Sequence, residues 1–261
     1  YTWSETETTY RISPLTITNL NYPANGRYYP TAYATANGIS GPIRLNWRLT
    51  EAGNRTNEVN AESQRFVIGA KGNVAGWDFD TAYNHAKSDV VDAYVNGYVQ
   101  TSTFDAAALT GNINPFGPSD AAGLALLNGT KINDKARNST GTTKTFDVKA
   151  SRPLFAAGGG DVALALGFES RKEDLGFTPS ALLAAGQIRG DGAAEAFSGD
   201  RRVNAVFAEL VWPITKTLEA QVAVRSDRYS DFGSTTNPKL GIRWNPSREL
   251  LFRGSYGEGF R

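Results

Sequence analysis

A side-chain period of two, repeated along most of the chain, restricts it to a fold built from strands with two unlike faces. From Pro238 to Arg261 the pattern is clearest. Leu240, Ile242 and Trp244 share one face, with Lys239, Gly241, Arg243 and Asn245 on the other. After a tight turn, Leu250, Phe252 and Tyr256 oppose Arg253, Ser255, Gly257 and Arg261. The same alternation marks Phe66–Val74, Trp77–Tyr83, Phe146–Ala150, Val162–Phe168, Val206–Trp212 and Leu218–Val224. The chain therefore reads as all-β.

Two architectures accept such strands. A soluble sandwich turns its apolar walls inward, whereas a membrane barrel turns them to lipid. The connections separate the two. Tyr1–Arg11 reads as a first strand, followed by a long segment, 12–58, rich in Pro, Asn and Gly. Within it, Ile43–Leu49 alternates and is expected to project beyond the membrane. Gln64–Val74 turns at Ala75-Gly76 into a strand reaching about Val99. A polar loop over 100–140 follows, with a short helix expected at Ala121–Leu127. Strands at 142–152 and 162–171 flank the turn Ala157–Asp161, and 180–200 forms a third loop. Strands ending at Pro213 and starting at Leu218 lie on either side of another short turn, and Asp231–Ser234 turns into the closing hairpin. Long and short connections alternate, with only a moderate one at Asp231–Ser234 where a long one would fall, and Trp77, Trp212 and Trp244 all stand beside short ones. Outer-membrane barrels combine short periplasmic turns, long extracellular loops and aromatic girdles in this way. The reading is an antiparallel transmembrane β-barrel, here a partial barrel of about nine strands.

Other classes are poorly served. Cysteine is absent, which removes disulfides, thiolate metal sites and cysteine nucleophiles. Net charge is +1 with no basic cluster, so nucleic acid is not an expected partner. No apolar run of about 18 residues exists, which excludes a membrane-spanning helix but not a barrel. His85 is the single histidine, so a histidine-cluster metal site is not expected. No G-x-S-x-G elbow occurs, and neither Gly158–Gly160 nor Gly254–Gly259 precedes a helix as a phosphate loop would. Asp78 and Asp80 read as polar wall rather than as an acid–base pair. No catalytic residue, metal site or cofactor is expected, and the chain is not read as an enzyme.

The run NPKLGIRWNPSRELLFRGSYGEGFR, 237–261, resembles the barrel signature of TonB-dependent outer-membrane receptors. Val211–Ile214, Glu219–Arg225, Tyr229–Gly233 and Gly167–Arg171 are similar to neighbouring strands of that family. Ser226 departs from it, standing where the family usually has Tyr. The resemblance implies that residues 1–261 are part of the receptor barrel domain, with the plug domain, the Ton box and carboxyl-terminal strands absent. The start at Tyr1, the lack of Met and the stop just past Phe260 lead to the same expectation of a fragment. Complete transporters have about 22 strands around a plugged lumen.

The resemblance further implies an active-transport receptor in the outer membrane of a Gram-negative bacterium, in contact with lipid. It would import a scarce small nutrient such as an iron–siderophore chelate, cobalamin or a carbohydrate. The TonB–ExbB–ExbD complex would supply energy through the plug and Ton box. Two readings from other classes stand beside it. A small self-closed pore or adhesin predicts that the first and last strands pair. A soluble β-sandwich binding module predicts apolar faces packed internally. The expected lumen-facing polar residues are Glu169, Arg171, Glu209, Arg225, Asp227, Arg243 and Arg253. In the loops, Tyr28, Tyr29, Tyr33, Trp47 and Arg48 are candidate ligand contacts, because aromatic and guanidinium groups suit stacking and charge-assisted hydrogen bonds.

Overall fold

The computed structural model describes residues 1–259. Nine strands form one antiparallel sheet: β1 (Thr2–Ile12), β4 (Arg55–Val74), β5 (Trp77–Asn96), β6 (Asp134–Ala157), β7 (Gly160–Pro179), β8 (Phe197–Thr215), β9 (Leu218–Tyr229), β10 (Gly233–Trp244) and β11 (Phe252–Gly257). They pair in that order. A separate ribbon joins β2 (Thr16–Tyr22) to β3 (Ile43–Arg48). Residues Ile43–Arg48 thus form the expected strand but lie outside the main sheet. Several strands outrun the sequence reading: β6 starts at Asp134 and β7 continues to Pro179, while β5 stops at Asn96. Leu250 precedes β11, and Arg261 lies outside the described residues.

Register assembles the alternating residues into two continuous walls. Ile68, Tyr83 and Phe146 are mutually opposed across β4, β5 and β6. Leu210, Val222, Leu240 and Tyr256 form another row across β8 to β11. These side chains touch no second layer: Ile68 is 60% exposed and Leu240 52%. A sandwich would bury them. On β10, Pro238, Leu240, Ile242 and Trp244 cover about 20 Å at ~3.4 Å per residue, close to the ~25 Å apolar band of an outer-membrane barrel. The band also slants. Its last apolar members are Tyr83 and Phe146 on β5 and β6, then Phe168 and Val206 one outward position nearer the short turns, then Val224 and Pro238 one further. Strands tilted about a barrel axis produce that drift.

The short turns close one end. Ala75 (φ 51) and Gly76 (φ 78) both take left-handed backbone, the two-residue hairpin geometry that matches strand twist. Trp244 stacks on Phe252 at 5.5 Å, and the Arg152 guanidinium lies 5.4 Å from the Trp77 ring, forming an amphipathic rim. At the opposite end β9 and β10 join through 230–232, a shorter link than the loops beside it. Among the described residues β1 and β11 are opposite edges and do not pair, unlike the self-closed pore.

The three long connections are not irregular loops. Together they fold into a cap with helices α1 (Thr31–Ala36), α2 (Thr101–Leu109), α3 (Ala121–Asn128) and α4 (Ala181–Ala184). Its core joins Leu15, Ile17, Leu20, Trp47 and Leu49 from the first segment to Val99, Phe104, Ile113 and Leu127 from the second. A second cluster holds Leu183 and Ile188 of the third against Tyr94, Tyr98 and Ala136. Backbone bonds lock the segments together: Arg27 N–H donates to Gly111 O (3.0 Å), Thr101 N–H to Gln187 O (2.8 Å) and Arg189 N–H to Val99 O (3.1 Å). The cap's apolar core offsets the ordering entropy that a free loop of this length could not.

Candidate functional site on the inner wall and cap

The wall opposite the apolar band carries the polar residues. A recess of about 900 Å³ runs along it from Thr2 and Ser4 on β1 to Gly199 and Arg201 on β8. The recess crosses six neighbouring strands, β1 and β4 to β8, on this polar face, the inner wall. Its floor is shallow because one register row reads Ser4, Ser63, Ser88, Gly141, Leu175 and Gly199. Apart from Leu175, the small side chains of this row leave the volume open.

From the recess toward the short turns runs a charged ladder. Arg201 Nε meets Glu173 at 2.6 Å, and Glu173 meets Arg171 Nε at 2.8 Å. Arg171 Nη1 contacts Glu169 at 3.1 Å. Arg225 Nη2 then bridges Glu169 (3.5 Å) and Asp227 (2.9 Å). The charges alternate in sign, and Asp227 is buried at 6% exposure. Partly exposed pairs such as Arg171–Glu169 and Arg225–Glu169 contribute modestly to stability, roughly 0–1 kcal/mol each. Their geometric effect is to hold these long side chains against the wall.

Four of the sequence candidates, Glu169, Arg171, Arg225 and Asp227, meet in this ladder. Glu209 lies nearer the short turns and accepts from Gln221 Nε2 at 2.6 Å. Arg243 and Arg253 oppose each other across β10 and β11, with Glu219 on the other side of Arg243. Sequence reasoning missed Glu173 and Arg201, which lie past the strand ends it expected. The signal was present, since the alternation through Glu169 and Arg171 continues to Glu173. Asp78 and Asp80 also have partners on this wall: Asn73 Nδ2 donates to Asp78 at 2.9 Å, and Lys71 pairs with Asp80 at 3.0 Å. His85 is on the outer wall, opposite Phe66 and Lys144.

The cap candidates do not converge on one pocket. Trp47 is buried in the cap core, 5.9 Å from the Phe104 ring, while its edge and Arg48 line a groove of about 450 Å³ with Glu51, Asn114, Phe116 and Pro118. Arg48 Nη1 donates to Pro14 O at 3.3 Å. Glu51 fastens the far side, accepting from Ser119 N–H (2.8 Å) and Ser119 Oγ (2.7 Å). Tyr29 Oη donates to Gly41 O at 2.6 Å, and Tyr28 Oη accepts from Asp120 N–H at 3.2 Å. Tyr33 stands exposed on α1. Burial pushes the Tyr22 phenol above its usual range, and its hydroxyl donates to Gly111 O at 2.6 Å. Tyr98 is shifted the same way by burial.

No curated protein matches the chain. Among solved structures, similarity extends to the siderophore receptor PirA from Acinetobacter baumannii, at 14% identity and TM-score 0.45, covering 77% of this chain and 25% of that one. Two structures of RagAB also match. One, a peptide transporter, is 13% identical with TM-score 0.45, covering 78% of this chain and 23% of its own. The other, a peptide importer in a closed-closed state, is 11% identical with TM-score 0.46, covering 84% and 24%. The chain thus spans about a quarter of the length of these proteins. The decisive match is to a family model, TonB dependent receptor-like beta-barrel, over residues 2–261. That model covers nearly the whole of the two-walled sheet and its cap: the chain belongs to the TonB-dependent receptor-like β-barrels.

Proposed function

We propose that this chain is part of the barrel domain of an outer-membrane active-transport receptor that captures a scarce small nutrient and imports it with energy from the TonB–ExbB–ExbD complex. The family match over residues 2–261 carries the reading. Two polar features accompany it: a groove of about 450 Å³ in the cap and a recess of about 900 Å³ on the polar wall of the sheet. Iron–siderophore chelates, cobalamin and carbohydrates are the substrate classes to screen. Trp47, Arg48 and Phe116 at the groove, with Tyr28, Tyr29 and Tyr33 nearby in sequence, are the proposed capture residues. The ladder and Glu209, Arg243 and Arg253 line the route inward. The plug and Ton box would reside in a part of the protein outside this sequence.

The test is uptake by cells expressing the full-length receptor, using labelled members of each substrate class. Accumulation should stop when a protonophore collapses the inner-membrane proton gradient. Uptake that continues unchanged after collapse would favour the passive pore and overturn active transport.

A further inference from the structure

The outer wall changes character above its apolar band. Moving from the short turns toward the cap, outward residues on β6 run Phe146, Lys144, Thr142. On β7 they run Phe168, Ser170, Lys172, Asp174, and on β8 Val206, Asn204, Arg202, Asp200. On β5 the order is Tyr83, His85, Lys87, Asp89, and on β9 it is Val224, Ser226, Arg228. Each strand from β5 to β9 therefore places a Lys or Arg within two outward positions of its last apolar residue. Acids appear only one layer further on β5, β7 and β8.

The centre of this layer is crowded. Lys144, Lys172 and Arg202 are directly opposite one another across three neighbouring strands. Strands lie about 5 Å apart, and like charges in direct opposition are destabilising. Lys172 is compensated by Asp174 at 2.8 Å, and Lys87 by Asp89 at 2.6 Å. Among the described residues, Lys144, Arg202 and Arg228 have no carboxylate within 4.0 Å. Lys144 and Arg202 are exposed on the wall that continues directly from the apolar band. An anion that reaches them from outside must sit at the upper edge of the lipid-facing surface, where lipid headgroups lie.

We propose that Lys144, Lys172 and Arg202, flanked by Arg228, form a binding site for the phosphate of a phosphorylated membrane lipid. Two cations on adjacent strands can share one phosphate, through the charge-assisted bonds that Lys and Arg make to phosphate oxygens. The acyl chains would then lie along Phe146, Phe168 and Val206. The assignment rests on the outer-membrane placement proposed above.

The experiment uses the full-length receptor purified in neutral detergent micelles, titrated with phosphatidic acid, phosphatidylcholine or inorganic phosphate. Bound lipid is read by native mass spectrometry and by the shift in thermal denaturation. Phosphatidic acid should bind best, and the K144Q/R202Q double variant should weaken it by at least about tenfold. The charge-preserving K144R/R202K variant should retain binding, as should Lys149→Gln, which removes a cation from the inner wall. Should K144Q/R202Q fail to fold, Arg228→Gln alone should give a smaller loss. Equal phosphatidic acid binding by wild type and the folded neutralised variant would overturn the site. Stabilisation by inorganic phosphate equal to that by phosphatidic acid would also overturn it, in favour of a free-anion site. A receptor that stays soluble after detergent removal defeats the outer-membrane placement itself, which is a distinguishable failure.

Discussion

Gly111→Ala should open the cap while leaving the sheet intact. Gly111 follows α2 with φ +71, a left-handed conformation that costs an L side chain about 1–2 kcal/mol. A Cβ there would sit 2.3 Å from Gly26 Cα and 3.2 Å from Pro23 Cγ. The contact is with backbone, so no rotamer relieves it, and overpacking of this kind costs typically 1–3 kcal/mol. Gly111 O also accepts from Arg27 N–H and Tyr22 Oη, and any retreat stretches both bonds. The sum is about 2–5 kcal/mol, set against the contacts that hold the first and second segments together. At about 1.4 kcal/mol per decade, amides in 16–22 and 101–113 should lose roughly 30-fold to several-thousand-fold of their hydrogen-exchange protection. Those of β6 and β7 should keep theirs, because local opening is independent of the global barrier. Gly192→Ala, where nothing lies within 4 Å, is the control and should be silent. Unchanged protection in the cap of Gly111→Ala would refute the claim that this contact joins the segments. Equal loss across β6 and β7 would refute the cap as a separate unit.

The two walls predict a sharp asymmetry at neighbouring residues. Val222→Lys places a charge in the middle of the band and should destabilise the reconstituted protein by about 2–4 kcal/mol, whereas Ala223→Lys, on the inner wall, should cost far less; equal losses in denaturant unfolding from bilayers contradict the facing. In the ladder, Asp227→Asn should cost more than Glu169→Gln, roughly 1–3 kcal/mol against under ~1. Asp227 is buried, while both arginines that lose Glu169 keep a second carboxylate. Thermal melting of the two variants checks the order. Tyr22 gives the pH prediction. Its folded pKa is raised, so the contribution of the neutral phenol to cap stability is complete below the unfolded value of about 10 and fades as pH rises through it toward the folded value. Tyr22→Phe should flatten the cap's alkaline destabilisation, followed by exchange-corrected protection between pH 8 and 11; an unchanged profile rules out this phenol as the source.

How much was legible in the sequence follows from where the information lies. A strand of the sheet announces itself within about ten residues, because its two walls differ in polarity and every second residue reports which. That is why Trp244, Ile242 and Leu240 could be assigned a wall before any pairing was known. The charged ladder was half visible for the same reason, and Glu173 and Arg201 escaped only because the strands run further past the band than the apolar residues that marked them. The cap obeys other rules. Its partners are remote, so nothing near Trp47 foretells that Phe104 will pack beside it. Even its local signal is broken: β2 buries Ile17, Leu20 and Tyr22, a spacing of three and then two. The irregularity sits at Asn19, whose φ of 58 makes a bulge. The bulge is held from β3, since Asn46 Oδ1 accepts from Asn19 N–H and Arg44 Nε donates to Asn19 Oδ1, both at 3.0 Å. A strand whose register depends on two side chains of a distant segment cannot be recognised by period. The cap is therefore the part whose structure depends on remote partners, while the two-walled sheet is written residue by residue.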